Sequence, residues 1–137
     1  MNDWQDITTW RVLIVDDETT NRDVFAETLL YFGAQVVKAS NGVEALAHIR
    51  QQAPTIILTD LAMPKMDGWE LLRTLRADPQ TRHIPILAIT AAYTLPGDRE
   101  RVLEAGFDGY LAKPVEVSAF ADVLRETIAK ARQRGAV

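Results

Sequence analysis

The sequence predicts an α/β protein in which five parallel strands form one sheet with helices on both faces. Short runs of β-branched and aliphatic residues alternate five times with longer stretches of helical periodicity. Such alternation is typical of a parallel sheet whose crossover connections are right-handed. The 137 residues suffice for one domain with one core, and no repeat or interior linker divides them.

The strands are predicted from apolar runs that end in a turn or a polar residue. They cover residues 11–15, 35–39, 55–60, 84–90 and 109–113. The helices follow from apolar residues spaced three or four apart, and Gly33 and Gly106 are stop signals for the first and fourth. They cover about residues 19–32, 43–52, 69–77, 98–105 and 116–133. Five such units suit a doubly wound, flavodoxin-like sheet with strand order 2-1-3-4-5.

The predicted domain covers residues 11–133, between an N-terminal extension, 1–10, and a tail, 134–137. Trp4 and Trp10 give the extension bulky apolar side chains. They could pack on the domain or contact a partner, and the sequence does not decide between these two alternatives.

Composition excludes several classes of function. The chain has no Cys, which excludes disulfides and thiol chemistry and fits a reducing compartment, so we expect a cytoplasmic protein. It has no signal peptide and no apolar run long enough for a bilayer, so no membrane association is expected. The net charge of −4 and the lack of a basic stripe argue against direct binding of nucleic acid.

The run of residues 55–60 is the central strand, and its last residue is an acid, Asp60. Open α/β sheets bind their ligands at the C-terminal edge of the strands, which is where Asp60 is expected. The loop that follows contains Pro64 and ends at Gly68, so it is predicted to be rigid. Asp60 is therefore a candidate nucleophile, although an acid at a strand end also often caps the next helix.

In the predicted order, strands one and three are neighbours, so Asp16 and Asp17 would meet Asp60 in one crevice. Three carboxylates together are costly without a cation, and hard oxygen ligands favour Mg²⁺. Strands four and five add Thr90, a hydroxyl donor, and Lys113, a cation. A carboxylate nucleophile, a metal and two donors together indicate an aspartyl-phosphate site.

Each of these residues has a structural explanation when it is taken alone. Asp16 and Asp17 are as well explained by capping of the first helix as by metal binding. Thr90 fits a strand as a β-branched residue, and Lys113 fits a solvated edge that Pro114 terminates. The functional interpretation depends on their joint placement at strand ends.

The same residues resemble the receiver domain of two-component response regulators. The matching motifs are Val-Asp16-Asp17-Glu, Asp60-x-x-Met-Pro-x-Met-Asp-Gly, Thr90-Ala and Lys113-Pro. The resemblance covers about residues 11–130. It implies a phosphorylation-activated signalling switch that catalyses only its own phosphoryl transfer and dephosphorylation.

For the metal site, the resemblance implies that Asp60 is the phosphoacceptor. Asp17, Asp60 and the backbone carbonyl of Ala62 would hold Mg²⁺, and Asp16 would act mainly through a water molecule on the metal. Ala62 departs from many family members, which carry a polar side chain at this position. Because the implied metal contact uses the backbone, we expect metal binding to survive.

For the switch, the resemblance implies that Lys113 and Thr90 contact the phosphoryl oxygens and that the bond between Lys113 and Pro114 is cis. Thr90 and Tyr110 are the implied switch pair. The hydroxyl would move towards the phosphoryl group while the aromatic ring turns inward.

The implied phosphoryl donor is a histidine kinase or a histidine phosphotransfer protein. Because only residues 134–137 follow the last helix, we expect a stand-alone receiver that acts as a monomer or weak homodimer and binds its target protein in trans. An interaction scaffold that does not depend on phosphorylation is an alternative. A Mg²⁺-dependent phosphohydrolase is another alternative. Such enzymes carry an Asp-x-Asp pattern, however, and in this chain Ala62 takes the place of the second acid.

Overall fold

The computed structural model describes residues 3–90, 97–113 and 115–135. Within them, five parallel strands form one sheet in the order β2-β1-β3-β4-β5, which confirms the predicted fold class. The strands are β1 (Arg11–Val15), β2 (Gln35–Ala39), β3 (Ile56–Asp60), β4 (Ile86–Thr90) and β5 (Gly109–Ala112). The helices are α1 (Thr19–Tyr31), α2 (Gly42–Gln51), α3 (Gly68–Ala77), α4 (Asp98–Ala105) and α5 (Val117–Gly135).

The sheet separates two apolar layers, as the alternation of strands and helices predicts. Helices α2 and α3, with Val102 of α4, pack with one face of the strands. Helices α1 and α5 pack with the other face, where Phe25 and Phe120 stack with ring centroids 5.6 Å apart. Strands β1 and β3 are almost wholly buried because both their faces are covered.

The N-terminal segment packs on the domain, which answers the question that the sequence left open. It forms two short 3₁₀ turns, Asp3–Gln5 and Ile7–Thr9. The ring of Trp10 is 1% exposed, and its indole N–H donates to the carbonyl of Trp4 over 2.8 Å. Arg125 of α5 donates to the carbonyl of Gln5 over 2.9 Å. The division of the chain at residues 10 and 133 stays a prediction.

Two elements differ by two residues at one end from the sequence prediction, and the other limits agree to within one residue. Helix α5 runs to Gly135 rather than ending near residue 133, because the Arg134 guanidinium is held by Asp108 at 2.9 Å from Nε to Oδ1. Strand β4 begins at Ile86 rather than at residue 84, since Pro85 has no N–H for the ladder. No helix within the described ranges is both long and apolar enough to span a bilayer.

Candidate functional site

The acids at the ends of β1 and β3 lie side by side. The register pairs Val15 with Thr59, so the residues that follow these two positions reach the same edge of the sheet. Asp16, Asp17 and Asp60 each place one carboxylate oxygen within 4.8 Å of the others. The crevice that the strand order predicts therefore contains all three predicted acids.

The loop after β3 is built to hold Asp60 in place. The amide of Ala62 donates to Asp60 Oδ1 over 3.2 Å. Lys65 has a φ of 69°, and the amide of Met66 donates to the carbonyl of Pro64 over 2.8 Å, which together make a γ-turn. The carbonyl of Met66 in turn accepts from the amide of Gly42 over 3.0 Å. Backbone hydrogen bonds thus tie this loop to the start of α2.

Two glycines allow this close approach. A Cβ at Gly68 would collide with the carbonyl oxygen of Asp60, and a Cβ at Gly42 would lie 2.5 Å from Met66 Cγ. Asp67 then caps α3 by accepting from the amide of Glu70 over 2.9 Å. Helix α3 can therefore begin directly behind the candidate nucleophile.

Lys113 joins the acids from the end of β5. Its Nζ lies 3.3 Å from Oδ2 of Asp16 and 3.3 Å from Oδ2 of Asp60. Burial lowers the pKa of the Lys113 ammonium, but the charges of Asp60 and Asp16 outweigh burial and raise that pKa above its ordinary value. Lys113 is therefore held as a cation between two acids.

Asp16 is the most buried of the acids, at 2% exposure. Burial raises the pKa of its carboxyl, and the charge of Asp60 raises it further, although the amide of Glu18 and the ammonium of Lys113 act in the opposite direction. Lys113 contacts the carboxylates of Asp16 and Asp60, and the Asp17 carboxylate lies beside them, so the crevice carries an excess of negative charge. A bound cation would relieve that excess.

Thr90 and Tyr110 lie on the same edge of the sheet. Thr90 is opposite Ala112 in the register, and the amide of Lys113 donates to the Thr90 carbonyl over 2.9 Å. The hydroxyl oxygens of Thr90 and Tyr110 are 3.5 Å apart, the outer limit of a hydrogen bond. The Tyr110 ring packs against the apolar layer under α3 and α4, so it already lies inward in this conformation. The predicted motion of this pair stays a prediction.

A cavity of about 660 Å³ opens beside Asp60. Besides the predicted residues, it is lined by Glu18, Asn21, Leu61, Trp69, Asp98, Arg101 and Val102. None of these seven residues was predicted as a site residue. Trp69 directly follows Asp67 and Gly68, where the chain returns to Asp60. The Asp-Gly end of the loop motif could therefore have placed Trp69 beside the site. The cis bond predicted between Lys113 and Pro114 lies outside the described residues, because Pro114 is not among them.

The donor set fits Mg²⁺. The three aspartates supply hard carboxylate oxygens, and the backbone amide of Ala62 already bonds Asp60, which keeps this residue beside the acids. Burial, with the nearby charge of Asp60, raises the pKa of the Asp16 carboxyl, and a divalent cation would favour its ionised form.

Comparison with known proteins identifies the family. The model of the response regulator receiver domain matches residues 12–125. The chain belongs to this family. It is 33% identical over 120 residues to the polar-differentiation response regulator DivK of Brucella anthropi, and the match covers 88% of this chain and 97% of that protein. The predicted resemblance is confirmed.

Two solved structures show the same likeness. One is the receiver domain of a sensor histidine kinase from Pseudomonas aeruginosa, described with a magnesium ion coordinated in its active-site cleft. It is 34% identical, has a TM-score of 0.78, and is matched over 88% of this chain and 98% of its own. The other is the chemotaxis protein CheY4 of Vibrio cholerae, at 32% identity, a TM-score of 0.71 and coverage of 91% and 97%.

Family membership shows the general role of the chain. It is a receiver domain of the two-component type, which acts as a signalling switch and not as an ordinary enzyme. Receiver domains bind Mg²⁺ at an acidic pocket, and the aspartate cluster is the matching pocket in this chain.

Proposed function

We propose that Asp60 accepts a phosphoryl group from a phosphohistidine of a histidine kinase or phosphotransfer protein, and that the modified chain binds a target protein in trans. The observation that carries the proposal is the position of Asp60 beside Asp16, Asp17 and the Lys113 ammonium. The likeness to DivK supports the same role. We further propose a cytoplasmic protein that acts as a monomer or weak homodimer.

The proposed transfer is a displacement at phosphorus. A carboxylate oxygen of Asp60 attacks, the phosphorus–nitrogen bond of the donor breaks, and its electron pair stays on the imidazole nitrogen, which leaves. Lys113 and Thr90 would then donate to the new phosphoryl oxygens. In dephosphorylation, water attacks phosphorus and the bond to the Asp60 oxygen breaks, which releases phosphate and restores the carboxylate.

The three aspartates have different parts in the proposed metal site. Asp17, Asp60 and the backbone carbonyl of Ala62 would hold Mg²⁺, and Asp16 would act in its outer sphere. When bound, Mg²⁺ neutralises negative charge on the phosphoryl oxygens. The protein contributes the fixed orientation of the acids, since Asp60 Oδ1 is bonded to the amide of Ala62 at 3.2 Å.

Signal output would use the surface of α4, β5 and α5. Tyr110 supports this because it borders both the cavity at Asp60 and a groove of about 230 Å³ between α4 and α5. A shift of Thr90 towards a phosphoryl group would change the contact with the Tyr110 hydroxyl and so alter that groove.

Intact mass spectrometry tests the acceptor. We expect one phosphoryl adduct after incubation with Mg²⁺ and a small acyl phosphate, and none without Mg²⁺. Asp60→Asn should remove the adduct, because an amide is not a nucleophile of comparable strength. Asp122→Asn, at a carboxylate 76% exposed on α5, is the matched control and should keep it. An adduct that persists on the Asp60→Asn protein would contradict the proposal.

Hydrogen exchange tests the output surface. We expect phosphorylation of the wild type to change amide exchange in residues 98–105 and 109–112. Tyr110→Ala should still be phosphorylated but should lose most of this change. Equal changes in both proteins would remove Tyr110 from the output pathway.

A further inference from the structure

Arg22 contacts the backbone of Asp16, and the proposed function does not use this contact. It lies in the first turns of α1, where its amide donates to the carbonyl of Glu18 over 3.0 Å. Its side chain turns back along the chain, and Nη1 donates to the backbone carbonyl of Asp16 over 2.9 Å. Its Nε is buried, with no partner among the described residues. The Arg22 side chain is thus half-buried beside the β1–α1 loop, and the Asp16 carbonyl is its hydrogen-bond partner among the described residues.

The carbonyl that Arg22 holds belongs to the peptide that joins Asp16 to Asp17. On its other side, the amide of Asp16 donates to the carbonyl of Ala39 over 3.1 Å, which continues the ladder to β2. Arg22 fixes the far end of the same residue. The plane of this peptide sets the direction in which Asp17 leaves the strand.

Asp17 depends on this backbone more than the other acids do. Asp16 is held by the amide of Glu18 and by Lys113, and Asp60 by the amide of Ala62 and by Lys113. Within the described part of the chain, no hydrogen bond or ion pair holds the carboxylate of Asp17, which is exposed. The backbone alone keeps that carboxylate near its two neighbours.

We propose that Arg22 is a positioning residue for the cation site. It holds the peptide between Asp16 and Asp17 and thereby presents the Asp17 carboxylate to a divalent cation, an inference that rests on the proposed function of the three aspartates. Residues that orient metal ligands in this way commonly change metal affinity by 10-fold to 100-fold when they are replaced.

Charge and positioning make opposite predictions for Arg22. Removal of a cation close to the acids should strengthen binding of Mg²⁺, because one repulsive charge is lost. Loss of positioning should weaken it, because Asp17 is no longer held in place. The sign of the change in affinity therefore separates the two effects. A purely structural contact would change stability alone.

Calorimetric titration with MgCl₂ on the full chain tests the proposal. We expect Arg22→Met to raise the dissociation constant of Mg²⁺ about 10-fold. Arg22→Lys should give a smaller loss, because it keeps a donor but not the planar guanidinium. Arg73→Met removes the same charge from an exposed site on α3 and should bind as the wild type does. Urea unfolding reports stability separately.

Titration of Arg22→Met tests the positioning role of Arg22, and titration of the wild type tests cation binding by the aspartates. Arg22→Met that binds Mg²⁺ as tightly as the wild type, or more tightly, overturns the positioning role and leaves the proposed function intact. A wild type that does not bind Mg²⁺ overturns the cation site and, with it, this inference. If Arg22→Met does not fold, Arg22→Lys decides, and an affinity equal to that of the wild type contradicts the proposal.

Discussion

Two buried aspartates lie at opposite edges of the sheet, and their surroundings differ. Asp16, 2% exposed at the C-terminal edge, shares Lys113 with a second carboxylate. Asp108, 4% exposed at the N-terminal edge, has both oxygens bonded. Arg134 binds it through Nε and Nη2 at 2.9 and 3.0 Å, Arg76 donates over 2.9 Å, and the amide of Ile86 donates over 3.1 Å.

The difference separates a structural site from a functional one. At Asp108, one carboxylate has two guanidinium partners, and the hydrogen bonds join α3, β4 and α5. The charge there is compensated within the protein. At Asp16, three carboxylates lie together, and Lys113 contacts only those of Asp16 and Asp60, so a bound cation would compensate the remaining charge. Excess charge that the fold does not neutralise is the feature that marks the C-terminal edge as the site.

The largest expected effect is a loss of stability at the N-terminal edge of the sheet, where Trp10 is buried. Trp10→Ala should lower the free energy of unfolding by about 3–5 kcal/mol, because it removes a fully buried indole and leaves a cavity. If the two edges of the sheet are independent, the Mg²⁺ affinity of Trp10→Ala should stay within about twofold of that of the wild type. Urea unfolding and calorimetry measure the two quantities. A large loss of Mg²⁺ affinity in a folded Trp10→Ala protein would show that the edges are coupled.

A smaller loss is expected at Asp108. Asp108→Asn should destabilise the protein by about 2–3 kcal/mol, since it leaves two arginines without their carboxylate but both are partly exposed. Urea unfolding at pH 7 with a chelator measures it. An unchanged midpoint would mean that the Asp108 network contributes no net stability.

Replacement of Asp16 by Asn should change the free energy of unfolding in the opposite direction. In a chelator at pH 7, Asp16→Asn should stabilise the protein, because burial raises the pKa of the Asp16 carboxyl and the substitution removes this buried charge. A group whose pKa is raised by folding contributes its stability below the ordinary value of 3.8 and loses it as the pH rises through the raised pKa. The gain should therefore shrink as the pH falls towards 4.

MgCl₂ should reverse the order of stability of the wild type and the Asp16→Asn protein. We expect the wild type to be stabilised by MgCl₂ more than the Asp16→Asn protein, since binding to the folded state shifts unfolding. Asp122→Asn is the exposed control and should change neither measurement. Destabilisation of Asp16→Asn in the chelator would break the contrast between the two aspartates.

Most of the fold could be predicted because its signals are local. Apolar runs that end at Val15 and Asp60 predict strands, and glycines at 33 and 106 predict helix ends with positive φ, as the structure has them at 94° and 119°. The limits of β4 and α5 were less accurate. The end of α5 depends on a remote partner, since Arg134 is held by Asp108, whereas β4 begins after Pro85 because proline has no N–H for the ladder.

The sequence by itself determined which residues at the strand ends reach the candidate site. In a parallel sheet of this order, strand ends must share one edge, so Asp16, Asp60 and Lys113 converge whatever their side chains do. Only the tertiary structure decided that Trp10 belongs to the core, that the Tyr110 ring lies inward and that Arg22 holds the Asp16 carbonyl. These features depend on side-chain direction and on packing between remote elements, and hydrophobic periodicity carries no information about either.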